Sequence, residues 1–367
     1  MKNCLNFRRL LIYCLFFFDC HILVCQYSFG LNYLGGQLIS HTSYTKSIES
    51  PVYGCQLESL WNLRQERDDL TSSKNDIFHS PQLGFSVTWM NMGHVSTGFQ
   101  MASALVLGGV ISNKGSLSFN YHFSHGLSFL SQKYDTNQRP INFAIGSHMN
   151  YFAQLKSGFE YNLTDNLNVN ASLYLTHASN GNWKKPNVGL NALHYGIGVV
   201  YFPNEISNKD RNSMYLHKKK FFAHPYLLGI KFGIREHSLE FRETFTTWIF
   251  DFQYRIQKNA RHIWDIGLDV FSDPNYKFDK FGKSTNSDDF DLIELGVKGG
   301  HQFLFGRVSL RTDLGVYILK PIFSEKPYFY NAVGIDYRIS QEWLLRSRLK
   351  AHLNVADYME FGVARLF

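Results

Sequence analysis

Residues 167–201 read LNVNASLYLTHASNGNWKKPNVGLNALHYGIGVVY, and the parity of this stretch decides the fold. From Leu167 to Leu175 every odd position is apolar, while Asn168, Asn170, Ser172, Tyr174 and Thr176 take the even ones. A period of two marks a strand with one apolar and one polar face. Carried past Leu175, the same parity puts His177 and Ser179 on the apolar face. After a loop rich in Gly, Asn, Lys and Pro the pattern resumes, with Leu193, Tyr195, Ile197, Val199 and Tyr201 on odd positions and Asn191 at their head. The stretch predicts a hairpin that gathers His177, Ser179 and Asn191 on the side that avoids water.

The same alternation recurs along the chain. Tyr226, Leu228, Ile230, Phe232 and Ile234 share one face, as do Trp248, Phe250, Phe252, Tyr254 and Ile256, and again Val308, Leu310, Leu314, Val316 and Ile318. Strands of about ten residues with an apolar face, a polar face and aromatic ends are the signature of a transmembrane barrel. A secreted sandwich would use strands nearer five or six residues. No run of eighteen apolar residues follows the N-terminal segment, which excludes a helical membrane protein. At the end of the chain Met359, Phe361, Val363, Arg365 and Phe367 share a face. A terminal Phe on an alternating strand resembles the recognition signal of barrels inserted into the outer membrane of Gram-negative bacteria.

The fold class expected is therefore all-β, a multi-pass antiparallel outer-membrane β-barrel of 12 to 16 strands, with about eight strands before Pro203 and about eight after it. Short connections fall near Asn113 to Gly115, Thr164 to Asn166, Lys258 to Ala260 and Ile339 to Gln341. Longer ones fall at His41 to Pro51, Ser124 to Ser147, Asn180 to Leu190 and Ser272 to Asp288, while Arg64 to Ser80 and Pro203 to Lys219 are long on the side of the short turns. The inner face of the second half is expected to carry Lys231, Arg235, Asp251, Arg255, Asp265, Asp269, Glu342, Arg346 and Arg348.

Lys2, Arg8 and Arg9 precede the nine-residue apolar run Leu10 to Phe18, the pattern of a secretory signal. The chain accordingly divides into a signal at 1–25, a half at 26–203 that carries the hairpin above, and further strands at 204–367. Four of the five cysteines would leave with the signal. Cys55 alone remains, so neither a disulfide framework nor a cysteine metal cluster is open to it. The signal holds two of the seven net positive charges. With export in view, the remaining basic excess points to an anionic lipid surface and not to nucleic acid.

His177-Ala178-Ser179-Asn180-Gly181 followed by Pro186-Asn187-Val188-Gly189 resembles the signature of the outer-membrane lipid A 3-O-deacylases, also called acyloxyacyl hydrolases. The resemblance covers about residues 27 to 203. It implies His177 as base, Ser179 as nucleophile, Asn180 as first choice of oxyanion donor and Asn187 as second. That family's triad is Ser-His-Glu; here Asn191 stands at the third position. The outer-membrane phospholipase A family, which this hairpin also resembles, has an Asn there. The resemblance implies an ester hydrolase acting on lipid A of lipopolysaccharide in the outer leaflet, with a phospholipid as the alternative substrate. It implies no cofactor or metal, leaving calcium dependence and oligomeric state open.

The chemistry stands without the family. Ester cleavage needs an alcohol nucleophile, a base for its proton and a donor for the oxyanion. An Asn can orient an imidazole through its amide oxygen but carries no charge to stabilise an imidazolium. His-x-Ser occurs four times, at His41, His94, His122 and His177, and only the last continues into Asn-Gly and then Pro-Asn. Ser124-His125-Gly126 and Ser147-His148 read as loop and strand-end packing. Lys184 and Lys185 in the same loop would suit a phosphate-bearing headgroup, although a lysine pair on a loop is usually only solvated. Trp183 suits an interfacial anchor. The reading from another class is a transport or structural barrel with a vestigial site.

Overall fold

A computed structural model describes residues 27–40, 42–62, 79–203, 224–258, 261–285, 287–321, 324, 326–353 and 355–367. The signal expected at 1–25, and most of the connections read at Arg64 to Ser80 and Pro203 to Lys219, lie outside the described residues.

Among the described residues sixteen strands run up and down in chain order. They are β1 (Tyr27–Ile39), β2 (Pro51–Asn62), β3 (His79–Asn91), β4 (Phe99–Lys114), β5 (Leu117–Leu130), β6 (Met149–Asn162), β7 (Leu167–Ser179) and β8 (Leu190–Tyr201). There follow β9 (Tyr226–Glu236), β10 (Thr244–Gln257), β11 (His262–Ser272), β12 (Ile293–Phe305), β13 (Val308–Leu319), β14 (Phe329–Arg338), β15 (Trp343–His352) and β16 (Val355–Leu366). The number of strands is the upper end of the range expected, but they do not share one sheet. They form two closed barrels of eight. β1 closes on β8, from Phe29 opposite Tyr201 to Ile39 opposite Asn191. β9 closes on β16, from Leu227 opposite Leu366 to Gly233 opposite Glu360. Each closure removes two strand edges that hydrocarbon could not solvate.

Each half can close separately because each supplies its own complete interior. Eight strands leave a bore that side chains alone can fill. In the first barrel Lys156 Nζ lies 2.5 Å from Glu58 Oε2, and the Gln56 amide donates to Gln154 Oε1 at 2.8 Å. In the second, Lys298 bridges Asp251 and Asp269 at 3.2 and 2.6 Å, and Arg346 bridges Asp251 and Asp336 at 2.7 and 3.3 Å. Arg311 pairs with Asp265 and Asp313, and Arg348 with Asp313 and Glu360. Charges taken out of water persist only when paired in this way. Of the inner-face residues expected, Glu342 is misplaced. It sits in the turn 339–342, half exposed and 3.3 Å from Arg365, because β15 begins only at Trp343. Both bores are occupied by protein. In a planar bilayer the purified chain is expected to give no stepwise conductance, and steady single-channel steps would show that the interior ion pairs part.

In β7 and β8 the odd-numbered face looks outward. Tyr195 and Ile197 are 60% and 61% exposed, whereas His194 between the barrel walls is 2%. Leu107 has the same outward parity as the exposed Phe99 and Met101, yet it is 1% exposed. Phe303, Phe305 and Val308 of the second barrel cover it. The barrels thus stand side by side. The long connections β1–β2, β5–β6, β7–β8 and β11–β12 emerge at one end, and the short turns β4–β5, β6–β7, β10–β11, β12–β13 and β14–β15 at the other. One expected loop is shorter than its sequence suggested: Ser124 to Leu130 continues β5, so the connection to β6 starts at Ser131.

Candidate active site

His177 and Asn191 face each other directly across the β7–β8 ladder. Cross-strand neighbours of this kind hold their side chains within about 5 Å at Cβ. Here His177 Nδ1 and Asn191 Oδ1 are 2.7 Å apart. An amide oxygen can only accept, so Nδ1 carries the proton and Nε2 is the acceptor nitrogen of the ring. Ser179, the last residue of β7, lies two positions further on the same face, opposite Tyr151 of β6. Its hydroxyl is buried and has no hydrogen-bond partner. An unpaired hydroxyl and an imidazole with a defined acceptor nitrogen thus share the outward face of β7.

The loop 180–189 wraps this pair. Gly181 and Gly189 have φ of +61° and +91°, a backbone region that favours glycine. Gly189 is also required by space: a Cβ there would stand 2.7 Å from His177 Cε1. The Pro-Asn-Val-Gly segment therefore lies against the edge of the imidazole. The Val188 and Gly189 amides donate to the Phe143 and Ala144 carbonyls at 3.2 and 2.9 Å, which ties this loop to the β5–β6 connection.

Asn180 and Asn187 differ in what they have left to give. The Asn180 N–H donates to Asn187 Oδ1 at 2.8 Å, and its Nδ2 donates to Ser147 Oγ at 2.9 Å and to the Lys184 carbonyl at 2.8 Å. Both amide hydrogens of Asn180 are engaged, and its Oδ1 is buried without a partner. Asn187 Nδ2 is buried and has none either. It is the free donor beside the Ser179–Asn180 peptide. An unpaired buried donor costs about 1–3 kcal/mol, a cost that a bound oxyanion would relieve.

The second barrel holds the far side of the loop. Asn182 Nδ2 donates to the carbonyls of Ala356 and Asp357 in β16, and its own carbonyl accepts from Glu236 N–H at 2.8 Å. A Cβ on Gly181 would stand 2.8 Å from the Met359 nitrogen. Glu236, the last residue of β9 and 1% exposed, accepts from the Lys185 N–H at 2.6 Å and lies 3.3 Å from Lys184 Nζ. Lys185 Nζ donates to the His237 carbonyl at 2.7 Å. Burial, with Arg235 nearby, pushes the Lys185 ammonium below its ordinary range against the pull of Glu236. The structure thus brings His177, Ser179, Asn191, Asn180 and Asn187 together and turns Lys184 and Lys185 toward the seam. Sequence reading missed three supports. Ser147, set aside as packing, anchors both Asn180 and Trp183 Nε1, at 2.9 and 3.1 Å. Gly189 makes room for the ring, and the family motif could have flagged it. Glu236 has no local signal, since its role depends on which barrel wall meets which.

A filled, closed antiparallel barrel with an apolar outer face defines a class, the integral outer-membrane barrels. A family model described as lipid A 3-O-deacylase (PagL) matches residues 69–200, and one described as acyloxyacyl hydrolase, C-terminal domain, matches residues 224–365. The chain belongs to the lipid A 3-O-deacylase family, an outer-membrane family of ester hydrolases. No curated protein matches it. Among solved structures, Neisserial surface protein A is 10% identical with a TM-score of 0.32, over 48% of this chain and 96% of that one. The Pseudomonas putida toluene transporter TodX is 10% identical with a TM-score of 0.18, over 96% of this chain and 89% of that one. A Rh. blastica porin mutant is 10% identical with a TM-score of 0.20, over 94% and 100%.

Proposed function

We propose that the protein removes the 3-O-linked acyl chain from lipid A at the outer leaflet of the outer membrane, with Ser179 as nucleophile, His177 as base and Asn191 as the group that orients the ring. The observation that carries this reading is the 2.7 Å bond from His177 Nδ1 to Asn191 beside the unpaired Ser179 hydroxyl. Ser179 Oγ attacks the ester carbonyl carbon as its proton passes to His177 Nε2. The carbonyl oxygen takes the negative charge, and Asn187 Nδ2 is the donor in place for it. Asn180, the first choice on motif grounds, serves instead by holding Asn187, because its own hydrogens are engaged. Collapse of the tetrahedral intermediate breaks the bond to the sugar oxygen, which takes the proton back from Nε2. Water then attacks the acyl-serine by the same route.

The occupied bores speak against a transport barrel with a vestigial site, and Asn191 keeps a phospholipase reading in play. One assay separates them. Purified protein is incubated with lipid A and, separately, with phospholipid in mixed micelles, and the products are weighed by mass spectrometry. Loss of one hydroxyacyl chain from position 3 of lipid A is expected. Faster release of fatty acid from the phospholipid would replace the deacylase reading with the other. In the same assay Asn191→Ala is expected to lose less than a His177 or Ser179 variant, since Asn191 neither attacks nor carries the proton. Asn191→Asp is expected to retain activity, because a carboxylate accepts the same Nδ1–H bond and also favours the imidazolium. Should Asn191→Ala match the parent protein, the orienting group lies elsewhere.

A further inference from the structure

At the rim of the seam, the β5–β6 connection, the β7–β8 loop, the end of β9 and the β9–β10 connection enclose a cleft of about 420 Å³. Lys133, Lys184 and Lys185 face it from the first barrel and Arg242 from the second. Its one carboxylate, Glu236, is already committed: it takes the Lys185 N–H at 2.6 Å, Lys184 Nζ at 3.3 Å and stands 4.0 Å from Arg242. Four basic side chains against one carboxylate leave the cleft with a positive excess at the edge of a low-dielectric wall, where opposite charge is attracted most effectively.

Its position matters as much as its charge. Ser147 lines the cleft on one side and on the other accepts from Asn180 Nδ2 at 2.9 Å. Asn180 is bonded directly to Ser179. A group seated in the cleft is therefore only a few atoms' span from an ester presented to Ser179. Trp183, also in the lining and 44% exposed, offers an indole edge of the kind found at headgroup depth. We propose that this cleft between the two barrels binds a phosphate group carried on the sugar headgroup of the lipid substrate, and that Arg242 and Lys133 are specificity-determining residues for it. A phosphate brings close to two negative charges and several acceptor oxygens. Arg242 can meet two of those oxygens with its planar fork, while the lysines act as mobile point charges. The inference rests on the reading of Ser179 as the nucleophile of a lipid esterase.

The test uses the full chain in mixed micelles with a phosphorylated acylated disaccharide lipid and its dephosphorylated counterpart. In the parent protein kcat/KM is expected to favour the phosphorylated lipid. In Lys133→Gln/Arg242→Gln that preference is expected to fall about tenfold through KM, the loss of roughly one charge-assisted contact. Lys277→Gln, a cation of the second barrel paired with Asp289 away from the cleft, is expected to keep the full preference. A second arm measures binding to Ser179→Ala protein, with inorganic phosphate alone as a further probe. Tighter capture of the phosphorylated lipid, lost in the double variant, supports the cleft even if no ester is ever cleaved, an outcome that would remove the esterase reading alone. An unaltered preference in the double variant overturns the cleft while leaving the esterase intact. Inorganic phosphate captured as tightly as the lipid also overturns it, since the site would then serve the free ion.

Discussion

Ser179→Ala is expected to lower ester turnover by about 10⁶-fold, the loss seen when a serine hydrolase is deprived of its nucleophile. The size follows from the arrangement on β7. His177 Nε2 has no other hydroxyl within the same outward row to activate, since the residue beyond it is Ser179 and the one before it is Leu175. The fold should not change, for the Ser179 hydroxyl makes no hydrogen bond that the substitution could break. Heat-modifiable mobility on a gel reads the barrel, and mass spectrometry of lipid A reads the chemistry. Undiminished release of the acyl chain from a correctly folded variant would end the assignment.

Asn187→Ala is expected to reduce kcat by about 10²–10³-fold with little change in KM, the range for removing one oxyanion donor. Alanine alone would be ambiguous, because Asn187 Oδ1 also receives the Asn180 N–H at 2.8 Å and so shapes the loop. Asn187→Asp separates the roles. A carboxylate still accepts from Asn180 but has no hydrogen to offer an oxyanion. The aspartate variant is therefore expected to be at least as impaired as the alanine variant. If instead it keeps the activity of the parent protein, Asn187 serves only the loop and the donor is another group.

Much of this was legible in the chain because it is local. Period-two alternation needs only a few neighbours to be read, so β7, β8, β9, β10 and β13 and their outward faces follow from the order of residues. The pairing of His177 with Asn191 was legible for the same reason: the hairpin carries both, and parity puts them on one face. Closure was not legible. Phe29 meets Tyr201 and Leu227 meets Leu366, pairings that no local pattern announces, and a sixteen-stranded cylinder would show the same alternation strand by strand. What distinguishes two small cylinders from one large one is whether each half holds partners for its own interior charges, as Lys156 does with Glu58 and Lys298 with Asp251 and Asp269. Which of Asn180 and Asn187 keeps an unpaired amide group was hidden too. It depends on Ser147 and the Lys184 carbonyl consuming the hydrogens of Asn180, which motif spacing does not reveal.

The side-by-side stance of the barrels also sets the traffic of lipids in the plane of the bilayer. An isolated cylinder can be approached from every bearing, but here the wall around Leu107 is sealed by Phe303, Phe305 and Val308. The wall below His177 and Asn191 stays open, with Leu173, Leu193, Tyr195 and Ile197 between 48% and 62% exposed. A diffusing lipid therefore meets the site as a corner. On the function proposed above, its acyl chain would slide along the first barrel from one side only, and the second barrel would halt it with its headgroup turned toward Lys184 and Arg242.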